Sequence, residues 1–127
     1  MLSPDVRALF EGPNYAHVAT VGPDGSPHSV PLWVGVEGDR IAFLTGPGSR
    51  KARNLARDPR VALSITAHDN PFMMATVRGT VELLDGEAAW EIIDRISRKY
   101  TGEPYPRGEE RVVFLVEPSH ALAVNFG

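Results

Sequence analysis

Short apolar runs, each followed by turn residues, recur along most of the chain. Within these runs apolar and polar residues alternate, as they do in a strand that buries one face. Glycine and proline occupy the gaps, and the turn at Gly22–Gly25 favours a hairpin between the first two runs. The pattern predicts seven strands, at Ala16–Val21, Pro27–Val36, Ile41–Thr45, Val61–Thr66, Thr76–Leu83, Val112–Glu117 and His120–Phe126.

Three other segments have apolar residues at helical spacing. Capping residues and breakers indicate where these helices begin and end. The predicted helices run from the Ser3 cap to Gly12, from the Ser49 cap to Asp58-Pro59, and over Glu87–Tyr100 after a possible Asp85 cap. Seven short strands with a few attached helices favour a mainly β fold, either a barrel or a sandwich.

Length and composition narrow the class of protein. A chain of 127 residues has the size of one domain, so residues 1–127 are predicted to fold as a unit. The formal net charge of −3 argues against a general nucleic-acid-binding surface. With no cysteine, the chain has no disulfide, thiol nucleophile or thiolate metal site. No apolar run approaches the roughly 18 residues of a membrane span and no signal peptide is evident, which predicts a cytoplasmic location.

The most distinctive segment follows the third predicted strand, from Thr45 onward. Two glycines flank a proline, Ser49 supplies a hydroxyl cap, and Arg50 and Lys51 occupy the first turn of the helix. Cations normally favour the other end of a helix, because the unpaired N–H groups of the first turn are already positive. A bound anion would offset this repulsion, and a phosphate suits such a site. The alternative is a solvated basic turn.

Signals for side-chain catalysis are weak. The four histidines are scattered without metal-ligand spacing, and no Gly-x-Ser-x-Gly elbow is present. The sequence therefore predicts no catalytic side chain and no metal ion. A bound cofactor would then be the reactive group, with the protein supplying position and electrostatics.

Two segments carry a resemblance to a known family. They are Ser29-Val30-Pro31-Leu32-Trp33 and Gly48-Ser49-Arg50-Lys51-Ala52-Arg53-Asn54-Leu55, the latter followed by Asp58-Pro59-Arg60-Val61. Together with the order of elements, they resemble the pyridoxamine 5′-phosphate oxidase-like split-barrel proteins, and among these the small actinobacterial oxidoreductases that use the deazaflavin F420. The resemblance implies a six- to seven-stranded antiparallel split β-barrel of the FMN-binding type. It also implies a homodimer with the cofactor at the subunit interface and a small-molecule substrate, without nucleic-acid or membrane partners.

The same resemblance implies roles for individual residues. Ser49, Arg50 and Lys51 would hold the cofactor phosphate, Asn54 would assist, and the second strand would lie beside the ring. The full predicted cofactor-binding set is Ser29, Pro31, Trp33, Thr45, Ser49, Arg50, Lys51, Asn54 and Arg78. Three alternatives stay open: FMN in place of F420, a binding protein without catalysis, and packing as the role of Trp33.

Overall fold

The computed structural model describes residues 2–126, and within this range the chain forms three helices and seven strands. The helices are α1 (Pro4–Glu11), α2 (Arg50–Arg57) and α3 (Gly86–Thr101). The strands are β1 (Ala16–Val21), β2 (Pro27–Leu32), β3 (Val34–Glu37), β4 (Arg40–Thr45), β5 (Arg60–Ala67), β6 (Asn70–Leu84) and β7 (Val112–Asn125).

All seven strands join one antiparallel sheet in the order β2-β1-β5-β6-β7-β4-β3. The strands at the two edges, β2 and β3, are consecutive in the chain and separated only by Trp33. The sheet therefore curls until its edges meet at this residue, which gives a split half-barrel and confirms the predicted fold class.

Two apolar clusters hold the fold together. The first fills the inside of the curled sheet, where Phe10, Phe43 and Val18 are fully buried and α1 and α2 cover the ends. The second lies on the outer face, where Ile92, Ile93 and Ile96 of α3 pack against β4 and the first half of β7. Apolar burial on this scale is the main source of stability in a domain of this size.

The second predicted strand, Pro27–Val36, is wrong as a single element because the chain breaks at Trp33. The predicted alternation of faces is nevertheless observed, since Val34 faces the inner core while Trp33 and Gly35 face α3. A Cβ on Gly35 would lie 3.0 Å from Ile96, so glycine here permits the close approach of α3. The break follows from curvature, which a local pattern does not encode.

The two predicted closing strands are wrong in the opposite sense, because they form the single strand β7. Arg78 pairs with His120 whereas Gly79 pairs with Pro118, so Ser119 is an extra residue in a bulge. A Cβ on Gly79 would lie 2.1 Å from the Glu117 carbonyl oxygen, which explains why a glycine faces the bulge. The inserted residue changes which side chains of β7 face outward beyond this point.

The helix boundaries follow their capping signals closely. Ser3 and Ser49 cap α1 and α2, and each side-chain oxygen accepts a hydrogen bond from a backbone N–H three residues on. Asp85 occupies the N-cap position of α3 but makes no side-chain capping bond. β5 ends at Ala67 and β6 begins at Asn70, so a two-residue turn joins these strands.

Much of the outer face of the sheet has no helix over it. The α3 helix covers β3, β4 and the first half of β7, which leaves β2, β1, β5, β6 and the end of β7 uncovered on that side. Phe72, Leu122 and Phe126 are each more than half exposed along the β6–β7 ribbon. This open face adjoins several of the residues that the sequence predicts to bind a cofactor.

Candidate functional site

The first turn of α2 begins at a cap that is fixed by hydrogen bonds. Ser49 accepts hydrogen bonds from the Ala52 N–H at 3.2 Å and from the Thr45 hydroxyl at 2.8 Å. Thr45 ends β4 and is buried, so it fixes the position of the cap against the sheet. The helix thus begins at a defined place with its unpaired N–H groups directed outward.

Arg50 and Lys51 lie beside this cap. Arg50 is exposed and Lys51 is half-buried, and within residues 2–126 neither side chain forms an ion pair. Partial burial lowers the pKa of the Lys51 ammonium, because the charged form loses hydration. An anion bound here would compensate both cations, so the local charge is that of an anion site.

Asn54 faces inward rather than toward the first turn. It is 1% exposed, its amide donates to the Thr20 hydroxyl at 3.0 Å, and its carbonyl accepts from Arg57 at 2.7 Å. The bond to Thr20 ties α2 to β1. Its predicted role as an assistant to the phosphate stays a prediction, while the structure gives it a clear anchoring role.

Ser29 and Pro31 share the uncovered outer face of the sheet with Arg78, and β1 and β5 lie between them. Ser29 and Pro31 are exposed on β2, and Ser29 pairs with Ala19 of β1. The same row continues through Ala62 on β5 to Arg78 on β6. Because Pro31 has no N–H and β2 is an edge strand, this part of the sheet is open to a flat ligand.

Trp33 lies apart from both groups. Its ring stacks on Tyr100 of α3 at 5.1 Å between centroids and 6° between planes, and it meets the edge of Tyr105 at 6.4 Å. The Tyr100 hydroxyl also accepts from the Val34 N–H and donates to the Asn14 carbonyl. These contacts favour packing as the role of Trp33, the alternative left open by the sequence, and its predicted cofactor contact stays a prediction.

Sequence reasoning missed the residues that support these groups. Thr20 holds Asn54 from a buried position on β1, and Ser119 and His120 support Arg78 from β7. The signal for Ser119 was present, because a Pro-Ser pair inside an alternating run is typical of a bulge as well as of a break. Thr20 had no such signal, since its partner is 34 positions away.

The histidines remain separate from each other. Within residues 2–126 no group of three or more His, Asp or Glu side chains is arranged to hold a metal ion. His28 lies opposite Thr20, and its Nδ1 is buried without a hydrogen-bond partner among the described residues. No described helix combines the length and apolarity needed to span a membrane.

Comparison with known proteins identifies the family. The family model for pyridoxamine 5′-phosphate oxidase matches residues 2–125. The chain therefore belongs to the pyridoxamine 5′-phosphate oxidase-like family, which confirms the resemblance read from the sequence.

Individual relatives refine this assignment. The solved structure of an F420 reductase is 30% identical with a TM-score of 0.82, covering 95% of this chain and 98% of that one. Rv2991, a conserved hypothetical protein from Mycobacterium tuberculosis, is 26% identical with a TM-score of 0.83, covering 98% and 85%.

A curated pyridoxine/pyridoxamine 5′-phosphate oxidase from Kineococcus radiotolerans is 46% identical over 77 residues, 61% of this chain. The chain spans only 34% of that relative's length. The relatives named for an activity are oxidoreductases, and a flavin-type cofactor fits the family.

Proposed function

We propose that this protein is an F420-dependent oxidoreductase that transfers a hydride between the deazaflavin and a small unsaturated organic substrate. The observation that carries the proposal is the start of α2, where a Ser49-capped turn presents Arg50 and Lys51 without ion-pair partners in residues 2–126. The near full-length similarity to an F420 reductase supports F420 as the occupant.

The residues present fit a phosphorylated cofactor. The unpaired N–H groups of the first turn and the two cations favour a phosphate group, and the Thr45–Ser49 hydrogen bond keeps the cap in place before binding. The phosphate would raise the pKa of Lys51 toward its ordinary value, offsetting the effect of burial. Ser49, Arg50 and Lys51 therefore bind and orient the cofactor, while Thr45 and Asn54 hold α2 on the sheet.

The ring is expected along the exposed strand β2, beside Ser29 and Pro31. A second copy of the chain would cover it from the other side, as the predicted homodimer requires. The exposed Phe72, Leu122 and Phe126 support such a dimer, because large apolar side chains clustered on one face are typical of interaction surfaces. The cofactor would then lie between the subunits.

When bound, reduced F420 supplies a hydride to one atom of an unsaturated bond, and solvent supplies the proton for the other. The protein's own residues need not move a proton, which agrees with the scattered histidines and the lack of a catalytic side-chain signature. Their task is to fix the reacting atoms, since a displacement of about 1 Å costs on the order of a hundredfold in rate.

FMN is the alternative cofactor, favoured by the similarity to pyridoxine/pyridoxamine 5′-phosphate oxidase. A binding protein without turnover is a further alternative, because a fold does not determine an activity. Both are outcomes of one experiment, in which the purified protein is titrated with F420 and with FMN while absorbance and fluorescence are recorded. Reduced F420 is then mixed with a panel of quinones and conjugated enones in single-turnover assays.

The proposal predicts tighter binding of F420 than of FMN and protein-dependent oxidation of reduced F420 by at least one acceptor. Preferential FMN binding would contradict the cofactor assignment, and binding of F420 without oxidation by any acceptor would contradict the enzymatic one. Light scattering on the same samples tests the dimer. A monomer mass with cofactor bound would contradict the interfacial site.

A further inference from the structure

A groove of about 460 Å³ lies on the uncovered outer face, away from the first turn of α2. Its floor is formed by the small side chains of Ala19 and Ala62 on adjacent strands. Polar groups enter from one side, and the lining includes Arg60, Arg78, Thr80, Ser119 and His120. The combination of an apolar floor with convergent polar groups at one edge is typical of small-molecule sites.

Arg78 is the cation in this groove without a compensating charge. Of the three strand arginines in residues 2–126, Arg40 pairs with Glu82 and Arg60 pairs with Asp58 at 2.6 Å, whereas Arg78 has no ion pair. The Arg60 charge is thus neutralised locally. Arg78 presents a guanidinium whose planar fork matches the geometry of a carboxylate.

The bulge in β7 positions the groups around Arg78. Ser119 is the extra residue, and its hydroxyl donates to the Arg78 carbonyl at 3.1 Å. Because the inserted residue reverses the alternation of β7, His120 pairs directly with Arg78 and shares the groove with it. Gly79 permits the close strand contact on which this depends. A bulge that re-aims side chains in this way is frequent at binding sites.

We infer that this groove is a carboxylate subsite, in which Arg78 binds the carboxylate and His120 contributes a ring N–H while a flat apolar body rests on Ala19 and Ala62. The subsite is distinct from the phosphate site at α2, which has its own cap and cations. An acidic planar substrate would bring such a carboxylate. The identity of the ligand as a substrate rests on the proposed function, whereas the binding of a carboxylate in this groove does not.

The test uses 2-naphthoate as the probe and neutral 2-naphthamide as its isostere, titrated by calorimetry into the full chain without cofactor. The wild-type protein is expected to bind the carboxylate more tightly than the amide. Arg78→Ala and Arg78→Gln should each weaken naphthoate binding about tenfold or more while leaving naphthamide unchanged. Arg98→Ala is the matched control, because Arg98 is an exposed arginine on α3 outside the groove and its loss changes net charge equally.

Repeating the titration at saturating F420 tests whether the groove remains free for a substrate when the cofactor is bound. If naphthoate and F420 bind together, the groove serves a substrate as proposed, whereas competition would assign the groove to the cofactor and overturn the substrate subsite. Equal affinity for naphthoate and naphthamide, or equal losses in the Arg78 and Arg98 variants, would overturn it. Failure of F420 to bind would contradict the proposed function alone, since the first titration contains no cofactor.

Discussion

Replacing Asn54 distinguishes an anchoring residue from a cofactor ligand. The side chain is 1% exposed and makes two hydrogen bonds, to Thr20 and from Arg57. Asn54→Ala removes both bonds and leaves the buried Thr20 hydroxyl without its donor. A net neutral bond contributes about 0.5–1.5 kcal/mol, and an unsatisfied buried group costs about 1–3 kcal/mol. The bond from Arg57 adds little, because that exposed guanidinium can turn to water.

We therefore expect Asn54→Ala to lower the free energy of unfolding by about 2–4 kcal/mol, which corresponds to roughly 10 °C in Tm for a domain of this size. Urea denaturation followed by tryptophan fluorescence measures it. Asn70→Ala is the matched control, since the Asn70 side chain accepts an exposed hydrogen bond from the Phe72 N–H at the start of β6 and its loss should cost about 1 kcal/mol or less. A cycle with Thr20→Val isolates the pair, with an expected coupling of about 0.5–3 kcal/mol.

The reasoning would be refuted if Asn54→Ala kept wild-type stability but lost cofactor affinity. Asn54 would then contact the ligand directly, as the sequence suggested, and its bond to Thr20 would contribute nothing. Loss of stability with near-normal affinity at a temperature where the variant is folded supports the anchoring role.

Two further predictions concern the bulge and the loop after α3. Gly79→Ala should lower the free energy of unfolding by about 2–4 kcal/mol, because its Cβ would lie 2.1 Å from the Glu117 oxygen. Gly108→Ala, whose Cβ would have nothing within 4 Å, should leave the free energy of unfolding nearly unchanged. Thermal melts of both variants test this, and an equal loss of stability in both would contradict the steric argument. The hydrogen bonds from Arg107 lower the pKa of Asp94 to about 2, so this pair should stabilise the fold above the ordinary carboxyl pKa of 3.8 and lose that effect as the pH falls toward 2. Asp94→Asn should flatten the acid limb of a stability profile measured between pH 2 and 5, and an unchanged limb would refute the assignment.

Local signals in the sequence predicted the elements that depend on local interactions. The capped start of α2 at Ser49 and the whole of β1 appear where the pattern placed them, because a hydroxyl cap and a period-2 run act over a few residues. The family and its fold followed from the Ser29–Trp33 and Gly48–Val61 segments together with the order of elements. The cations at the first turn were likewise readable from their position in the helix.

Features set by distant parts of the chain could not be read this way. The break at Trp33 depends on sheet curvature, and the bulge at Ser119 depends on Gly79 in another strand. The bond that anchors Asn54 could not be read from the sequence, because its partner Thr20 is 34 positions away. The strand order was also needed to divide the predicted residues into an α2 group and an outer-face group, since Ser29 and Arg78 lie on strands separated by β1 and β5.

The most direct test of the central claim is the affinity of the α2 site for F420 in single-residue variants. Arg50→Ala and Lys51→Ala each remove a charge-assisted contact of about 1.5–3 kcal/mol, so the Kd should rise about ten- to a hundredfold with stability unchanged. Arg53→Ala, an exposed arginine one turn further along the same helix, is the control for net charge and should change the Kd far less. Fluorescence titration of the four proteins gives the answer. The predicted result is weaker F420 binding in the Arg50 and Lys51 variants but not in the Arg53 variant. Wild-type affinity in both the Arg50 and the Lys51 variants would contradict the account.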